Sequence, residues 1–190
     1  GKFLGVWKNV AEDESRKYAA RKGGAVPITT RAIAPTGTIS IMAGTTSGIE
    51  PVYCLAYKRR YQSHGRYLYQ YVVDPTAKRL LDTGVPAKDI EDAFTLSHDV
   101  PRRLDVQSRV QTYTDQAISS TVNLPKNYSD PNFAPIVAAF LPRLKGVSFY
   151  PDGARTGQPL VPVPVEEALE QEGVVFEEDS ERCLNGVCGL

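Results

Sequence analysis

The order of elements in the second half of the chain constrains its fold most. One predicted helix has its apolar face formed by Val106, Val110, Tyr113 and Ala117. A second apolar stripe at helical spacing covers residues 133–144, where Pro142 should bend or end the helix. Each helix precedes a β-type run, at residues 119–125 and 146–153. Helices and strands in alternation predict an α/β fold with parallel strands.

The first half is predicted to begin with a helix over residues 3–21, which ends at the Gly23-Gly24 pair. Residues 25–35 have the β-branched content of a strand, closed by Pro35. Residues 49–61 form another extended segment. The tyrosine-rich residues 65–75 predict either a strand or a long irregular excursion.

Charge is distributed unevenly along the chain, although its 22 basic and 22 acidic residues balance. Residues 159–190 hold eight acids and one base, so their net charge is −7 and the remainder carries +7. We expect a body over residues 1–158 and a flexible acidic tail over residues 159–190, because the tail is proline-punctuated and has few apolar residues to pack. No membrane-spanning run or signal-peptide pattern occurs, and a cytoplasmic location is expected.

The stretch "APTGTISIMAGTTSGIEP" is almost uncharged and rich in glycine and hydroxyl side chains. Gly37 permits a close backbone approach, and a helix that opens after it would present unpaired N–H groups to an anion. Thr36, Thr38 and Ser40 add hydroxyl groups. A structural turn with threonine caps explains the same residues, and spacing alone favours the turn, because no lysine of a P-loop follows.

The chain ends in "CLNGVCGL", which holds two of its three cysteines. A tight turn at Gly186 could bring Cys183 and Cys188 within bonding range. So small a loop stabilises a fold only weakly, and this favours a redox role over a structural disulfide. A metal site lacks ligands, since the chain has only two histidines and no second close cysteine pair. Cys54, inside an apolar run, is expected to be a small buried hydrophobe.

Two further features favour structural explanations. The His98-Asp99 pair precedes a predicted helix and is expected to serve as a cap or a surface turn. The cluster "KRRYQSHGRYLYQY" combines arginine and tyrosine, as nucleic-acid-binding surfaces do. No RNA- or DNA-binding motif accompanies it, so a solvated strand edge is the preferred interpretation and no nucleic-acid partner is expected.

Four motifs, taken together and in order, resemble the large catalytic chain of ribonucleotide reductase. They are "APTGTISIMAGTTSGIEPVYCLAYKRR", "TDQAISSTVNLP", "GVSFYPDGAR" and the terminal C-x4-C. The first motif is most similar to the adenosylcobalamin-dependent, class II enzymes. Class I chains carry two adjacent tyrosines where this chain has Phe149-Tyr150, which counts against class I.

The resemblance implies the C-terminal portion of a ten-stranded α/β barrel, incomplete by itself, that reduces ribonucleotides by a radical mechanism with adenosylcobalamin as cofactor. Residues matching the family's substrate-phosphate loop are Pro35, Thr36, Gly37, Thr38, Ile39 and Ser40. Cys183 and Cys188 match the tail pair that re-reduces the active site and is itself reduced by thioredoxin or glutaredoxin.

The family's radical-bearing cysteine, in an Asn-x-Cys-x-Glu-type loop, is missing from the sequence. The chain is therefore expected to need an N-terminal part of the same reductase for catalysis, and to be poorly stable without it because a partial barrel leaves open sheet edges. Two alternatives remain: a class I large chain that depends on a separate radical subunit, or a stand-alone nucleotide-binding or redox module.

Overall fold

The computed structural model describes residues 1–153 and 160–177. Its α-helices are Lys2–Lys22 (α1), Gly37–Met42 (α2), Pro75–Asp82 (α3), Val100–Gln111 (α4), Phe133–Phe140 (α5) and Val165–Glu170 (α6). Its strands are Ala56–Ser63 (β1), Arg66–Val73 (β2), Thr121–Leu124 (β3), Ser148–Pro151 (β4), Leu160–Pro162 (β5) and Val175–Glu177 (β6). Among these helices, none combines the length and the apolar character that a membrane crossing requires.

The described residues fall into two compact units. The first unit comprises residues 1–53 and 91–153, and the second comprises residues 54–90 and 160–177. The 35–40 stretch that the sequence singled out belongs to the first unit, whereas the arginine-tyrosine cluster belongs to the second.

Helix α1 begins the first unit and confirms the helix expected there. Gly23 ends it with φ 65°, a left-handed conformation that glycine adopts without steric cost, and its N–H bonds carbonyls of the last turn. Ala19 is the buried residue of this helix, and Phe3 is 81% exposed. Helix α1 therefore leaves much of its apolar surface uncovered.

The core of the first unit lies around a parallel pair of strands. Strand β3 pairs with β4 from Thr121 opposite Ser148 to Leu124 opposite Pro151, and helices α4 and α5 accompany them. The buried residues are Val100, Leu104, Val122 and Leu124, with α5 packed against them. The predicted helix–strand–helix–strand order is confirmed, and α5 ends at a 3-10 turn, Leu141–Arg143, that contains Pro142. The α/β class is thus confirmed; a ten-stranded barrel stays a prediction.

The predicted apolar face of α4 is wrong. The helix ends at Gln111, before Tyr113 and Ala117, and Val106 is 41% exposed. The buried face instead consists of Val100, Arg103, Leu104, Gln107, Ser108 and Gln111. Glutamines can be buried here because backbone carbonyls accept their amide hydrogens: Gln107 donates to Gly146 at 2.7 Å.

The strand predicted over residues 25–35 is also wrong. Only Ile33 makes a β-bridge, parallel to Ile118, and Ile28 is 99% exposed. The N–H groups of Thr30 and Arg31 donate to the carboxylate of Asp115, at 2.7 and 3.2 Å, instead of to a strand. A carboxylate side chain therefore accepts the N–H groups that, in a strand, would bond to the backbone carbonyls of a neighbouring strand.

The second unit is an antiparallel sheet with the strand order β5-β1-β2-β6. Strands β1 and β2 form a hairpin in which Ala56 opposes Val73 and Ser63 opposes Arg66, so both extended segments are confirmed, in part, as strands. Ala168 of α6 is buried against Ala56 and Val73. Cys54, as expected, is buried.

Residues 160–177 differ from the expected flexible tail. Strand β5 pairs with β1, and β6 pairs with β2, so both edges of the hairpin are covered. Phe176 stacks on Tyr69 with ring centroids 5.9 Å apart, and the Tyr71 hydroxyl donates to Glu167 at 2.9 Å. The hairpin offers unpaired backbone groups at its two edges and aromatic rings on its surface. These partners are distant in the chain, so the sequence of residues 160–177 alone did not predict the strands.

Candidate functional site

The 35–40 loop, defined as residues 35–40, leads directly into helix α2. Thr36 has φ 52°, an unusual value for a residue with a side chain, and the helix begins at the next residue, Gly37. Pro35, Gly37, Thr38 and Ile39 are exposed, whereas Ser40 is buried. The predicted helix after Gly37 is thus confirmed, and its first turn faces solvent.

The first turn of α2 offers hydrogen-bond donors. The N–H of Ser40 bonds the carbonyl of Thr36 at 2.9 Å and closes the first turn. The N–H groups of Gly37, Thr38 and Ile39 precede that turn, so the helix itself contains no acceptor for them. Because α2 has only six residues, its dipole is small. An anion at this turn would therefore be bound by hydrogen bonds from the three oriented N–H groups and from the exposed Thr38 hydroxyl.

Two of the predicted hydroxyl groups are engaged by residues in or shortly after the loop. The Thr36 hydroxyl oxygen accepts the N–H of Gly48 at 3.1 Å. The Ser40 hydroxyl donates to the carbonyl of Gly37 at 2.8 Å and lies 2.8 Å from the Ser47 hydroxyl. Thr36 and Ser40 therefore shape the loop, and Thr38 is the hydroxyl residue that it exposes.

A small cavity lies at the carboxyl ends of β3 and β4. Its volume is about 200 Å³, and its polar lining includes His98, Asn123, Lys126 and Asp152. Ligands of α/β proteins commonly bind beyond the carboxyl ends of parallel strands. The sequence did not single out this cavity, because its lining comes from three separate segments.

The predicted cap at residue 99 is confirmed. The Asp99 carboxylate accepts the N–H of Arg102 at 3.1 Å at the start of α4. Its neighbour His98 ends a 3-10 helix, Thr95–His98, and lines the cavity. The sequence reasoning missed Glu50 and Arg103, which form an ion pair; the hint in the sequence is that Glu50 is the one charged residue in the stretch 32–57.

Cys183 and Cys188 lie outside the described residues, so their redox role stays a prediction. Within residues 1–153 and 160–177, no group of three or more histidine, cysteine or acidic side chains is placed to hold a metal ion.

Comparisons with known proteins now identify the family. Residues 7–150 match the family described as "Ribonucleotide reductase, barrel domain". A vitamin B12-dependent ribonucleoside-diphosphate reductase of Mycobacterium tuberculosis (strain CDC 1551 / Oshkosh) is 33% identical over 182 residues, which cover 83% of this chain and 26% of that protein. A protein of the same name from Thermoplasma acidophilum is 29% identical, over 78% of this chain and 22% of its own length.

A solved structure agrees with these sequence matches. The crystal structure of a B12-dependent, class II ribonucleotide reductase superposes with a TM-score of 0.66 at 17% identity, covering 90% of this chain and 26% of that one. The chain spans about a quarter of the length of the relatives that it matches. Because the family match covers most of its residues, the chain belongs to the ribonucleotide reductase barrel-domain family.

Proposed function

We propose that this chain is the segment of an adenosylcobalamin-dependent ribonucleotide reductase that holds the substrate's phosphates and carries the tail dithiol. The observation that carries the proposal is the family match over residues 7–150, which includes the whole 35–40 loop. The names of these two relatives favour a cobalamin enzyme over one with a separate radical subunit, and a ribonucleoside diphosphate as substrate.

The 35–40 loop would bind phosphate through its backbone. The N–H groups of Gly37, Thr38 and Ile39 and the exposed Thr38 hydroxyl can donate to phosphate oxygens without a lysine. Thr36 and Ser40 would act indirectly, by holding the loop through Gly48 and Ser47. Binding at this loop would orient the nucleotide but would supply no radical and no proton.

Adenosylcobalamin supplies the radical chemistry of such an enzyme when it is bound. The cavity at the ends of β3 and β4, about 200 Å³, is far smaller than a corrinoid with its nucleotide tail, so it does not fit the cofactor. We therefore assign the cofactor mainly to the part of the reductase outside this chain, together with the radical-bearing cysteine that this sequence lacks.

The tail pair would restore the active site by thiol–disulfide exchange. The two thiols of Cys183 and Cys188 would form a disulfide, and the active-site disulfide would become two thiols. An external dithiol of the thioredoxin or glutaredoxin class would then reduce the tail disulfide, so electrons balance at each step. The acidic, glycine-containing sequence around the pair suits a segment that must reach two partners.

Reconstitution tests the proposal. The chain is combined with its N-terminal part, adenosylcobalamin, a ribonucleoside diphosphate and thioredoxin, and deoxyribonucleotide formation is measured. We expect activity to require cobalamin. Activity that instead requires a metal-bearing radical subunit would establish the class I alternative, and nucleotide binding without any reductase activity would favour a stand-alone module.

Two variants test the assigned residues separately. Replacing both Cys183 and Cys188 by serine should abolish turnover with thioredoxin but leave single-turnover reduction intact; unchanged multiple turnover would refute the tail role. Thr38→Ala should raise KM more than it lowers kcat, because one phosphate contact is lost. Lys88→Gln, an exposed charge in the second unit, is the control and should change neither.

A further inference from the structure

The carboxylate of Glu50 connects the residues after the 35–40 loop with strand β3. One oxygen accepts the N–H of Thr121, the first residue of β3, at 2.6 Å. The other lies 2.6 Å from Nη2 of Arg103 and 3.3 Å from the hydroxyl of Ser120. Both carboxylate oxygens are therefore used, by partners 53 to 71 residues away in the chain.

Arg103 holds this carboxylate from helix α4. Its side chain is 7% exposed, and the same Nη2 also lies 3.3 Å from the Ser120 hydroxyl and from the Thr121 carbonyl. A buried guanidinium is tolerated only when it is neutralised and hydrogen-bonded. Since Glu50 supplies the neutralising charge, the two side chains fix each other's position.

The residues before the loop reach the same stretch of chain. Ile33 bridges Ile118, and the N–H of Ser119 donates to the Ile33 carbonyl at 2.9 Å. Ile33, two residues before the loop, and Glu50, ten residues after it, are thus both attached to one segment, residues 118–121, which leads into β3.

Gly48 closes the base of the loop between these two attachments. It has φ 51°, and a Cβ there would lie 3.2 Å from the Ala34 carbonyl oxygen and 3.3 Å from Cγ2 of Ile33. A side chain would meet both unfavourable torsion and close backbone. Gly48 is therefore packed closely against the residues that precede the loop, and Glu50 follows it two residues later in the chain.

We propose that Glu50, held by Arg103, is a positioning residue for phosphate binding by the 35–40 loop. The inference rests on the proposed function of that loop. The donors of the loop lie on the exposed first turn of a six-residue helix, and the loop is tied to the chain before Glu50 by the Gly48 N–H, which donates to the Thr36 hydroxyl at 3.1 Å. Small displacements of binding groups weaken oriented contacts strongly. Glu50 itself touches no substrate in this role.

The test uses the reconstituted enzyme with Glu50→Gln, Arg103→Gln and Arg103→Lys. We expect Glu50→Gln and Arg103→Gln to raise KM for the ribonucleoside diphosphate by about tenfold, as expected when one member of a buried pair is lost. The value of kcat should change by less than about twofold, because the chemistry lies elsewhere. Arg103→Lys, which keeps the charge, should recover much of the affinity.

Glu91→Gln is the matched control. Glu91 pairs with Arg102, the neighbour of Arg103, but both side chains of this pair are about half exposed. This variant should leave KM unchanged. If Glu50→Gln fails to fold, two other comparisons carry the test: Ser120→Ala, which removes the 3.3 Å contacts of that hydroxyl with Glu50 and Arg103, and Arg103→Lys against Arg103→Gln.

The outcomes separate this inference from the proposed function. If Thr38→Ala raises KM but the Glu50 and Arg103 variants lower only the melting temperature, the pair is merely structural and the inference is wrong. If Thr38→Ala also leaves KM unchanged, the loop does not bind phosphate and both proposals fail. A raised KM in Thr38→Ala and Glu50→Gln, with recovery in Arg103→Lys, supports both.

Discussion

Both units carry exposed ion pairs, but among the described residues only the first unit also buries arginines. In the first unit, the side chains of Arg31 and Arg103 are 2% and 7% exposed, and each meets a carboxylate far away in the sequence. In the second unit, the Arg66–Glu177 pair is 73% and 52% exposed. Buried pairs fix geometry because a charge without a partner is costly there, whereas exposed pairs contribute little. The unit with the candidate site is therefore the one that depends on precise long-range contacts.

The apolar core of the first unit also contains larger buried side chains than the core of the second unit. The first unit buries Leu104 and Val122 among aromatic and aliphatic neighbours. Among these neighbours, the rings of Phe133 and Phe149 meet edge to face, with their centroids 4.9 Å apart. The core of the second unit is built on Ala56, Val73 and Ala168, and backbone pairing across four strands does much of the work. Large buried side chains make the first unit more sensitive to truncation.

Leu104→Ala should have the largest effect. Leu104 is fully buried, and truncation should lower the free energy of unfolding of the first unit by about 2–5 kcal/mol. Urea unfolding followed by the fluorescence of Trp7, which belongs to that unit, measures it. Val106→Ala, on the exposed side of the same helix, should cost less than about 0.5 kcal/mol. Equal losses in the two variants would contradict the assigned buried face of α4.

Asp115→Asn should cause the next largest loss in the free energy of unfolding, and the size of this loss should depend on pH. The hydrogen bond from the Thr30 N–H lowers the pKa of Asp115 most; partial burial opposes it, and the Thr30 hydroxyl and the charge of Arg31 lower it further. A lowered folded-state pKa stabilises the protein above the unfolded value, about 3.9, and this stability is lost as pH falls through the folded value.

At neutral pH, Asp115→Asn should therefore destabilise the first unit by about 1–3 kcal/mol, because Arg31 loses one of its two carboxylate partners and keeps only Glu12. The gap between variant and wild type should narrow below about pH 4. Urea unfolding at a series of pH values measures both. A gap that stays constant down to pH 2 would contradict the role of the charge.

Asp74→Ala tests the second unit. The Asp74 carboxylate accepts the N–H groups of Thr76 and Ala77, at 2.8 and 3.2 Å, and caps α3. Its loss should cost about 0.5–2 kcal/mol, measured by near-ultraviolet circular dichroism of the hairpin tyrosines during unfolding. Asp82→Ala, at the other end of α3, should be neutral or slightly stabilising, because an acid is unfavourable there.

Arg66→Gln should have the smallest effect, less than about 0.5 kcal/mol, since its pair with Glu177 is exposed. High salt should reduce even this difference. Arg109→Gln, which breaks an exposed pair with Asp105 in the first unit, should behave alike. If Arg66→Gln instead cost as much as Asp115→Asn, the proposed contrast between the units would be wrong.

Local features of the fold could be predicted from the sequence where neighbouring residues decide the conformation. Gly23 ends α1, Pro142 ends α5 in a 3-10 turn, and Gly37 starts α2, as expected. The parallel pairing of β3 and β4 also followed from the order of elements. The motif also predicts the place of the 35–40 loop, and its phosphate role stays a prediction.

Features that depend on distant partners could not be predicted. The buried face of α4 includes Gln107 because the Gly146 carbonyl, 39 residues away, accepts its amide. Residues 160–177 form strands because the hairpin offers them open edges. In each case the local sequence indicated an exposed or disordered residue. A partner that is distant in the sequence but close in the fold makes the residue buried or part of a strand instead.

By itself, the sequence determined the family, the α/β class and the place of the loop, since these depend on ordered motifs and local spacing. Only the tertiary structure decided which partly buried carboxylate meets which buried arginine, such as Glu50 with Arg103 and Asp115 with Arg31. The physical reason is that a charge is stable in the interior only beside its partner, and the partner's position is a property of the folded chain.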